Sequence, residues 1–399
     1  MRKTILFVDD EPNILAGLMR NLRHMRKSMD FHFVESGEEA LTCLAVHSVD
    51  IIVSDMRMPG MDGATLLSIV QERYPAVVRI MLSGQSDRES VLQTVATVHQ
   101  FLTKPITAAV LQEKLHQACS YLDLMAETPL KSLICRTGHL PSQPAVFTEL
   151  IQIIPEPDCS ANDIAKIIER DLGMCAKIFQ LVNSSFFGKQ RKIYNPTDAV
   201  TLLGVDLIRE LIFSAGIFKE MPPTSQPELF WGSLHDHNRK VAGLARLIIR
   251  DERLGKEAED NAFLAGLLHD VGKLLFTSIL DEQYCEVLRL AENESLLDFQ
   301  VEQRELHTDH AVAGGYLLGL WGLPAAVVEA VAFHHQPEKH PTLFFSPMLA
   351  VHIADALFHH QHPANTDGLP PALNTSLLKQ VGLVDRTDHW LTLYEQVDT

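Results

Sequence analysis

The sequence predicts a doubly wound parallel α/β sheet of five strands followed by an all-α region. Three observations carry that prediction. From residue 1 to about 123, short apolar runs alternate with helix-like segments, the pattern of parallel strands joined by crossover helices. After about 138 no strand pattern recurs, and apolar residues follow helical spacing between Pro, Gly and polar turns. Several apolar runs in the first region end in an acid, a Ser or a Lys, at the strand ends where open α/β sheets place their ligands.

Taken in order, the strands read as "TILFVDD", "FHFV", "DIIVSD", "VRIMLS" and "QFLTK". Ile51, Ile52 and Val53 form an unbroken apolar run, as expected for a strand buried on both faces. "NILAGLMRNLRHM" and "GATLLSIVQERY" read as two of the crossover helices. "TAAVLQEKLHQACSYLDLMA" is helical, with Val110, Leu111, Leu115 and Cys119 near one face, and is expected to close the first domain and run on as a linker. Beyond it, "AVFTELIQII", "SANDIAKIIERDL", "MCAKIFQLVN", "TDAVTLLG" and "VDLIRELIFSAGIF" read as helices. Ser160 with Asp163 three residues on gives a capping box. The Pro-rich "MPPTSQPEL" at 221–229 is expected to divide the helical region into two lobes. "HHQHPANTDGLPPALN" near 359–374 reads as a polar loop.

At 399 residues the chain exceeds one ordinary core, and two or three domains are expected at roughly 150 residues each. A net charge of −17 and the lack of a Lys/Arg-rich block oppose nucleic-acid binding and weaken a transcription-factor reading. The six cysteines are scattered without a CxxC pair. They are read as reduced core thiols of a cytoplasmic protein, without a thiolate zinc site or a disulfide framework. "MRKTILFVDDEP" is not a signal peptide. No stretch reads as the roughly 20 apolar residues of a membrane helix, so no membrane partner is expected.

Asp9 and Asp10 end the first strand and Asp55 the third, ends that can be neighbours in a doubly wound sheet. Three carboxylates at one spot repel unless a cation joins them. A hard ion such as Mg²⁺ meets that need, and Lys104 is placed to add a fixed positive charge. Pro105 follows it, and an X-Pro bond can be cis. Ser83 ends the fourth strand with a hydroxyl. Acids, metal, Lys and hydroxyl together suit a phosphoryl group carried on a carboxylate, with Asp55 as the acceptor.

With "FVDDE", "SDMRMPGMDG", "MLSG" and "FLTKP" in place, the first 120 or so residues resemble the flavodoxin-like receiver domain of two-component response regulators. The resemblance implies phosphotransfer from a cognate histidine kinase to Asp55. It also implies Mg²⁺ held by Asp10 and Asp55 with Asp9 nearby, and switching through Ser83, Phe101 and Lys104.

The helical region is rich in histidine. "LLHDVGKLLF" sets His269 beside Asp270. Adjacent helical residues diverge by about 100°, so an Asp bridging two metals, with the His on one of them, fits better than one simple site. His237 shares a face with Val241, Leu244 and Ile248. "HTDHAVAGG" supplies His310, "FHHQP" supplies His334 and His335, and "VHIADAL" supplies Asp355. A single His on an apolar face is more often a hydrogen-bonded core residue. His307, His352 and the "HHQH" run are read that way. The ordered set suits one or two ions among Fe, Mn, Zn and Mg²⁺.

That set, with "LPSQPAVFTELIQII", "IERDLGMCAKIFQLVNSSFFG", "TDAVTLLGVDLIREL", "GLLHDVGK" and "HAVAGGYLLGLWGLP", resembles the HD superfamily and more closely its HDOD signalling branch. Expected boundaries are a receiver at 1–123, a helical linker at 124–138, an HDOD domain at 139–345 and its C-terminal helical extension at 346–399. HDOD domains are regarded as output modules without established enzymatic activity. The implied function is therefore a phosphorelay regulator whose HDOD domain binds signalling proteins, with a homodimer as a further expectation. This sequence departs from the branch in keeping a nearly full ligand set. The alternative is thus a metal-dependent phosphodiesterase or phosphatase, a cyclic dinucleotide being one candidate substrate, with Asp270 and Lys273 as catalytic residues. The related HD-GYP enzymes carry a Gly-Tyr-Pro element. Here "QPEKHPTLFF" follows His335, so their substrate does not carry over.

Overall fold

A computed structural model describes residues 2–84, 88–125, 129–138, 140–156, 158–184, 186, 193–213, 216–220, 228–342, 344–361 and 373–396. Most of the Pro-rich stretch at 221–229 and of the loop at 359–374 lies outside the described residues.

Five parallel strands form one sheet: β1 (Lys3–Val8), β2 (Met29–Val34), β3 (Ile51–Asp55), β4 (Val78–Ser83) and β5 (Gln100–Thr103), in spatial order β2-β1-β3-β4-β5. The three central strands are buried along almost their whole length, because helices cover both faces. Those helices are α1 (Pro12–Asn21), α2 (Gly37–Val46), α3 (Gly63–Arg73), α4 (Arg88–Thr94) and α5 (Ala108–Leu124). In α5, Leu111, Leu115, Cys119 and Leu122 face the core. Val110 does not: it is 42% exposed, one position off that face.

The remainder is helical. Its helices are α6 (Lys131–Arg136), α7 (Pro144–Ile153), α8 (Ala161–Ile168), α9 (Leu172–Asn183), α10 (Pro196–Leu203), α11 (Val205–Phe213), α12 (Glu228–Asp251) and α13 (Lys256–Leu268). They continue with α14 (Val271–Leu280), α15 (Glu282–Glu294), α16 (Asp298–Leu306), α17 (His310–Leu320), α18 (Ala325–Phe333), α19 (Pro347–Gln361), α20 (Thr375–Gln380) and α21 (Thr387–Tyr394). The expected capping box forms, with Ser160 accepting from the Asp163 amide. "SANDIAKIIERDL" is not one helix: the buried Asp171 carboxylate accepts the Met174 and Gln143 amides and starts α9 afresh. One strand pair does occur here, the two-residue β6 (Pro141–Ser142) and β7 (Lys219–Glu220), too short to leave a periodic signal. The α13–α14 stretch, Lys256–Leu280, is long and apolar enough to cross a membrane by length and composition, contrary to the sequence reading. Of its most apolar window, 72% is buried inside the fold, as in a core helix.

The sheet docks directly on the helices. The Gln100 side-chain amide donates to the Leu320 carbonyl (3.1 Å), and that of Gln180 to the His99 carbonyl (3.1 Å). The buried Lys177 ammonium donates to the carbonyls of Val95 (3.0 Å) and Gly138 (2.6 Å) and lies 5.3 Å from the Trp321 ring centre. Arg79, fully buried, donates to the carbonyls of Thr97 and Cys135, while the Cys135 thiol meets the Tyr316 hydroxyl at 3.0 Å. A Cβ on Gly319 would come within 2.5 Å of the Tyr121 ring, so glycine is what lets α5 approach α17. One contiguous apolar core runs through both regions.

Candidate functional site

Strand register builds the first site. Val8 pairs with Ser54 and Ser83 with Thr103, so Asp9, Asp55, Ser83 and Lys104 share one end of the sheet, with Asp10 half-buried next along. The Lys104 ammonium reaches Asp9 Oδ2 at 2.9 Å and Asp55 Oδ1 at 2.5 Å. Burial pushes the Asp55 carboxyl above its ordinary range, and the Lys104 bond only partly offsets this. Burial pulls Lys104 down, but the bonds to Asp55 and Asp9 outweigh it and leave its pKa raised. Ser83 is buried and its hydroxyl has no hydrogen-bond partner. Phe101 is buried in β5. The Lys104–Pro105 peptide is cis. Any Cβ at Gly63 would lie 2.0 Å from the Asp55 carbonyl, so glycine is required where the "MPGMDG" loop folds back. Two carboxylates facing one ammonium, with a third acid next along the chain and an unpaired buried hydroxyl at the same sheet end, fit a hard cation and a phosphoryl group.

The second site lies where α12, α13, α14, α17, α18 and α19 converge. Its donors fall into two groups, His237, His269 and Asp355, and Asp270, His310, His334 and His335. Within each group the ligand atoms lie within 4.8 Å of one another. The helix break between α13 and α14 falls at His269 and Asp270. Asp270 faces both groups, with His269 Nε2 3.4 Å from its Oδ2 and His310 Nε2 3.1 Å from its Oδ1. Asp355 Oδ1 lies 3.2 Å from His237 Nε2. Lys273 Nζ lies 3.3 Å from Asp270 Oδ2.

Outer contacts orient the rings. His269 and His334 each direct Nδ1 at a backbone carbonyl, of Gly266 and Val331, at 2.8 Å, turning Nε2 inward. Burial holds His237 down to about 4 and His334 down to about 3, so both are neutral donors. His310 is different: burial would lower it, but Glu302 and Asp270 outweigh that and raise it to about 10. His237 Nε2 meets His269 Nε2 at 3.1 Å, and His310 Nε2 meets His335 Nε2 at 2.9 Å. His334 Nε2 and Asp270 Oδ2 are buried with no hydrogen-bond partner. Imidazole nitrogens aimed at one another and at two carboxylates, with the buried His334 Nε2 unpaired among them, fit bound metal.

The residues read from the sequence as this second set therefore converge. His307 is exposed at the end of α16, and His352 is buried with Nδ1 directed at the His334 carbonyl. Two contributors escape sequence reading. Glu302 accepts from the His310 amide and meets its Nδ1, both at 2.7 Å, and accepts from the Tyr284 hydroxyl at 2.8 Å. His359 Nε2 lies 3.2 Å from Asp355 Oδ1, one helical turn on. The Asp355-to-His359 spacing was the available signal for the second. A lone Glu in a polar helix gives none for the first.

Comparison with known proteins finds the response regulator receiver domain over residues 5–116 and the HDOD domain over 140–337. The chemotaxis protein CheY-3 of Vibrio cholerae is 30% identical over 28% of this chain and 87% of its own. An uncharacterized protein of Treponema pallidum is 25% identical over 53% of this chain and 41% of its own. The MmoQ response regulator of Methylococcus capsulatus superposes with a TM-score of 0.44 at 23% identity, covering 63% of this chain and 98% of that one. The chain thus spans 41% of the Treponema protein's length, and 28% and 26% of two transcriptional regulators it also matches, HoxA of Cupriavidus necator and GlrR of Escherichia coli.

Proposed function

The chain belongs to the response regulators, with an HDOD domain following its receiver, and on that premise we propose that phosphorylation of Asp55 controls what the HDOD domain binds. An Asp55 carboxylate oxygen attacks the phosphorus of a kinase phosphohistidine, and the ring nitrogen leaves. Asp9, Asp10 and Asp55 would hold Mg²⁺, which would supply charge neutralisation for the phosphoryl group. Lys104 holds a transferred phosphoryl oxygen, and Ser83 offers the hydroxyl its burial leaves unpaired.

One observation carries the reading. Phe101 follows Gln100 in β5 and Lys104 comes just after the strand, and Gln100 is bonded to α17, the helix that opens with His310. On this reading a shift at the phosphoryl site passes to α17 through the Gln100 side chain. The proposed output is a protein-interaction module, because His269, Asp270, His310, His334 and Asp355 are each at most 2% exposed, leaving little ligand surface for a substrate. Metal there would be held by His237, His269 and Asp355 on one side and Asp270, His310, His334 and His335 on the other, and would cross-link six helices.

The full ligand set favours a second reading, a metal-dependent phosphohydrolase with Asp270 and Lys273 at its centre. The test is direct. Protein with Mg²⁺ and acetyl phosphate is expected to take up phosphate, and Asp55→Ala to take up none; equal uptake removes Asp55 as the acceptor. Asp270→Ala is expected to lower the Fe or Mn content sharply. Hydrolysis of a generic phosphodiester that Asp270→Ala abolishes would favour the enzyme reading.

A further inference from the structure

A third His/Cys group lies away from both sites, on the receiver's edge. His32 is in β2, the outermost strand on that side of the sheet. Cys43 is in the last turn of α2, and His47 caps that helix with its amide bonded to the Cys43 carbonyl at 2.9 Å. The closed turn keeps positions 43 and 47 on one side of the helix, facing the strand. The two imidazoles stack with centres 4.4 Å apart. One ligand atom from each residue lies within 4.8 Å of the other two.

We propose that His32, Cys43 and His47 form a site for a borderline or soft transition ion such as Zn²⁺. Tetrahedral zinc with nitrogen at about 2.0 Å and sulfur at about 2.3 Å holds its ligand atoms about 3.5 Å apart. The present ligand atoms, within 4.8 Å of one another, are a little wider apart than that geometry. A thiolate with two imidazoles selects such ions over Mg²⁺, which favours oxygen. The electrostatics agree. The C-terminal end of α2 carries the negative pole of its dipole, and Asp30 sits two residues before His32, on the same strand face. Binding releases the Cys43 proton, since the thiolate is the ligand. Three protein ligands leave a fourth position for water or a donor from another molecule. His47 is exposed and His32 and Cys43 are half-buried, so the site is reachable from solvent. Bound metal pins α2 to the edge strand.

Cobalt separates this site from the HD centre, whose ligands include no sulfur. Full-length reduced protein in excess Mg²⁺ is titrated with Co²⁺, and the near-ultraviolet thiolate-to-cobalt charge-transfer band is followed. One equivalent of the band is expected in wild type and in Asp270→Ala, and none in Cys43→Ser. His47→Ala, at an exposed position that leaves folding intact, is expected to weaken the cobalt affinity reported by that band by roughly tenfold or more. A band that survives in Cys43→Ser, or no band when Co²⁺ is bound stoichiometrically, overturns the proposal.

Discussion

Gln100 and Leu320, 220 residues apart in sequence, are joined by a hydrogen bond of 3.1 Å from the Gln100 amide to the Leu320 carbonyl. Gln100 begins β5, the strand that carries Phe101 and leads to Lys104. Leu320 ends α17, the helix that begins with His310. Gly319 and Gly322 let the Tyr121 and Gln100 side chains lie this close.

Gln100→Ala removes that bond and a weaker one to the Gly319 carbonyl. The expected cost is about 1 kcal/mol. Amide exchange should rise at the end of α17 while phosphate uptake at Asp55 stays as in wild type. Unchanged exchange in α17 would show that this contact does not hold the two regions together.

Glu302→Gln keeps the shape of the group behind His310 but removes its charge. Outer-shell carboxylates of this kind are worth 10–100-fold in metal affinity, and a loss of about that size is expected by competition with a chelator. Glu302→Ala should also destabilise the fold by about 3 kcal/mol, because it leaves the buried His310 amide and Nδ1 without their acceptor, as read by denaturant midpoint.

Asp171 caps α9 from a fully buried position, and burial pushes its carboxyl up to about 6. A carboxyl whose folded pKa lies above its unfolded value binds its proton more tightly when folded. Its contribution is therefore full below the ordinary carboxylate range, near pH 4, and falls as pH rises through about 6. Between those limits wild type should lose stability relative to Asp171→Asn, as followed by thermal midpoints across pH. A flat difference would place the Asp171 pKa near its ordinary value.

The sheet was legible because its strands are buried on both faces and its acids fall at strand ends, a pattern that needs no partner to be read. The HD donors were legible because His269–Asp270, His310, His334–His335 and Asp355 sit on or at the ends of apolar helices and His237 shares a face with Val241, Leu244 and Ile248. The docking surface was not. Gln100, His99, Lys177 and Cys135 look like ordinary residues of their elements, and their roles depend on which backbone carbonyls the fold brings to them. The stretch "TAAVLQEKLHQACSYLDLMA" was expected to run on as the linker between the two regions. The structure adds direct contacts from the β4–β5 end of the sheet to α9 and α17. Glu302 was invisible for the same reason, since its partners come from α15 and α17.

The central claim is that the phosphoryl site and the HD centre are linked through this docked surface. Exchange mass spectrometry on the full chain with Mg²⁺, with and without beryllofluoride, tests it most directly. The account predicts altered protection in β5, α6 and α17, absent in Asp55→Ala, in keeping with a coupling of roughly 1–3 kcal/mol. A response confined to residues before about 106, with α17 unchanged, would contradict it and leave the receiver as a tether.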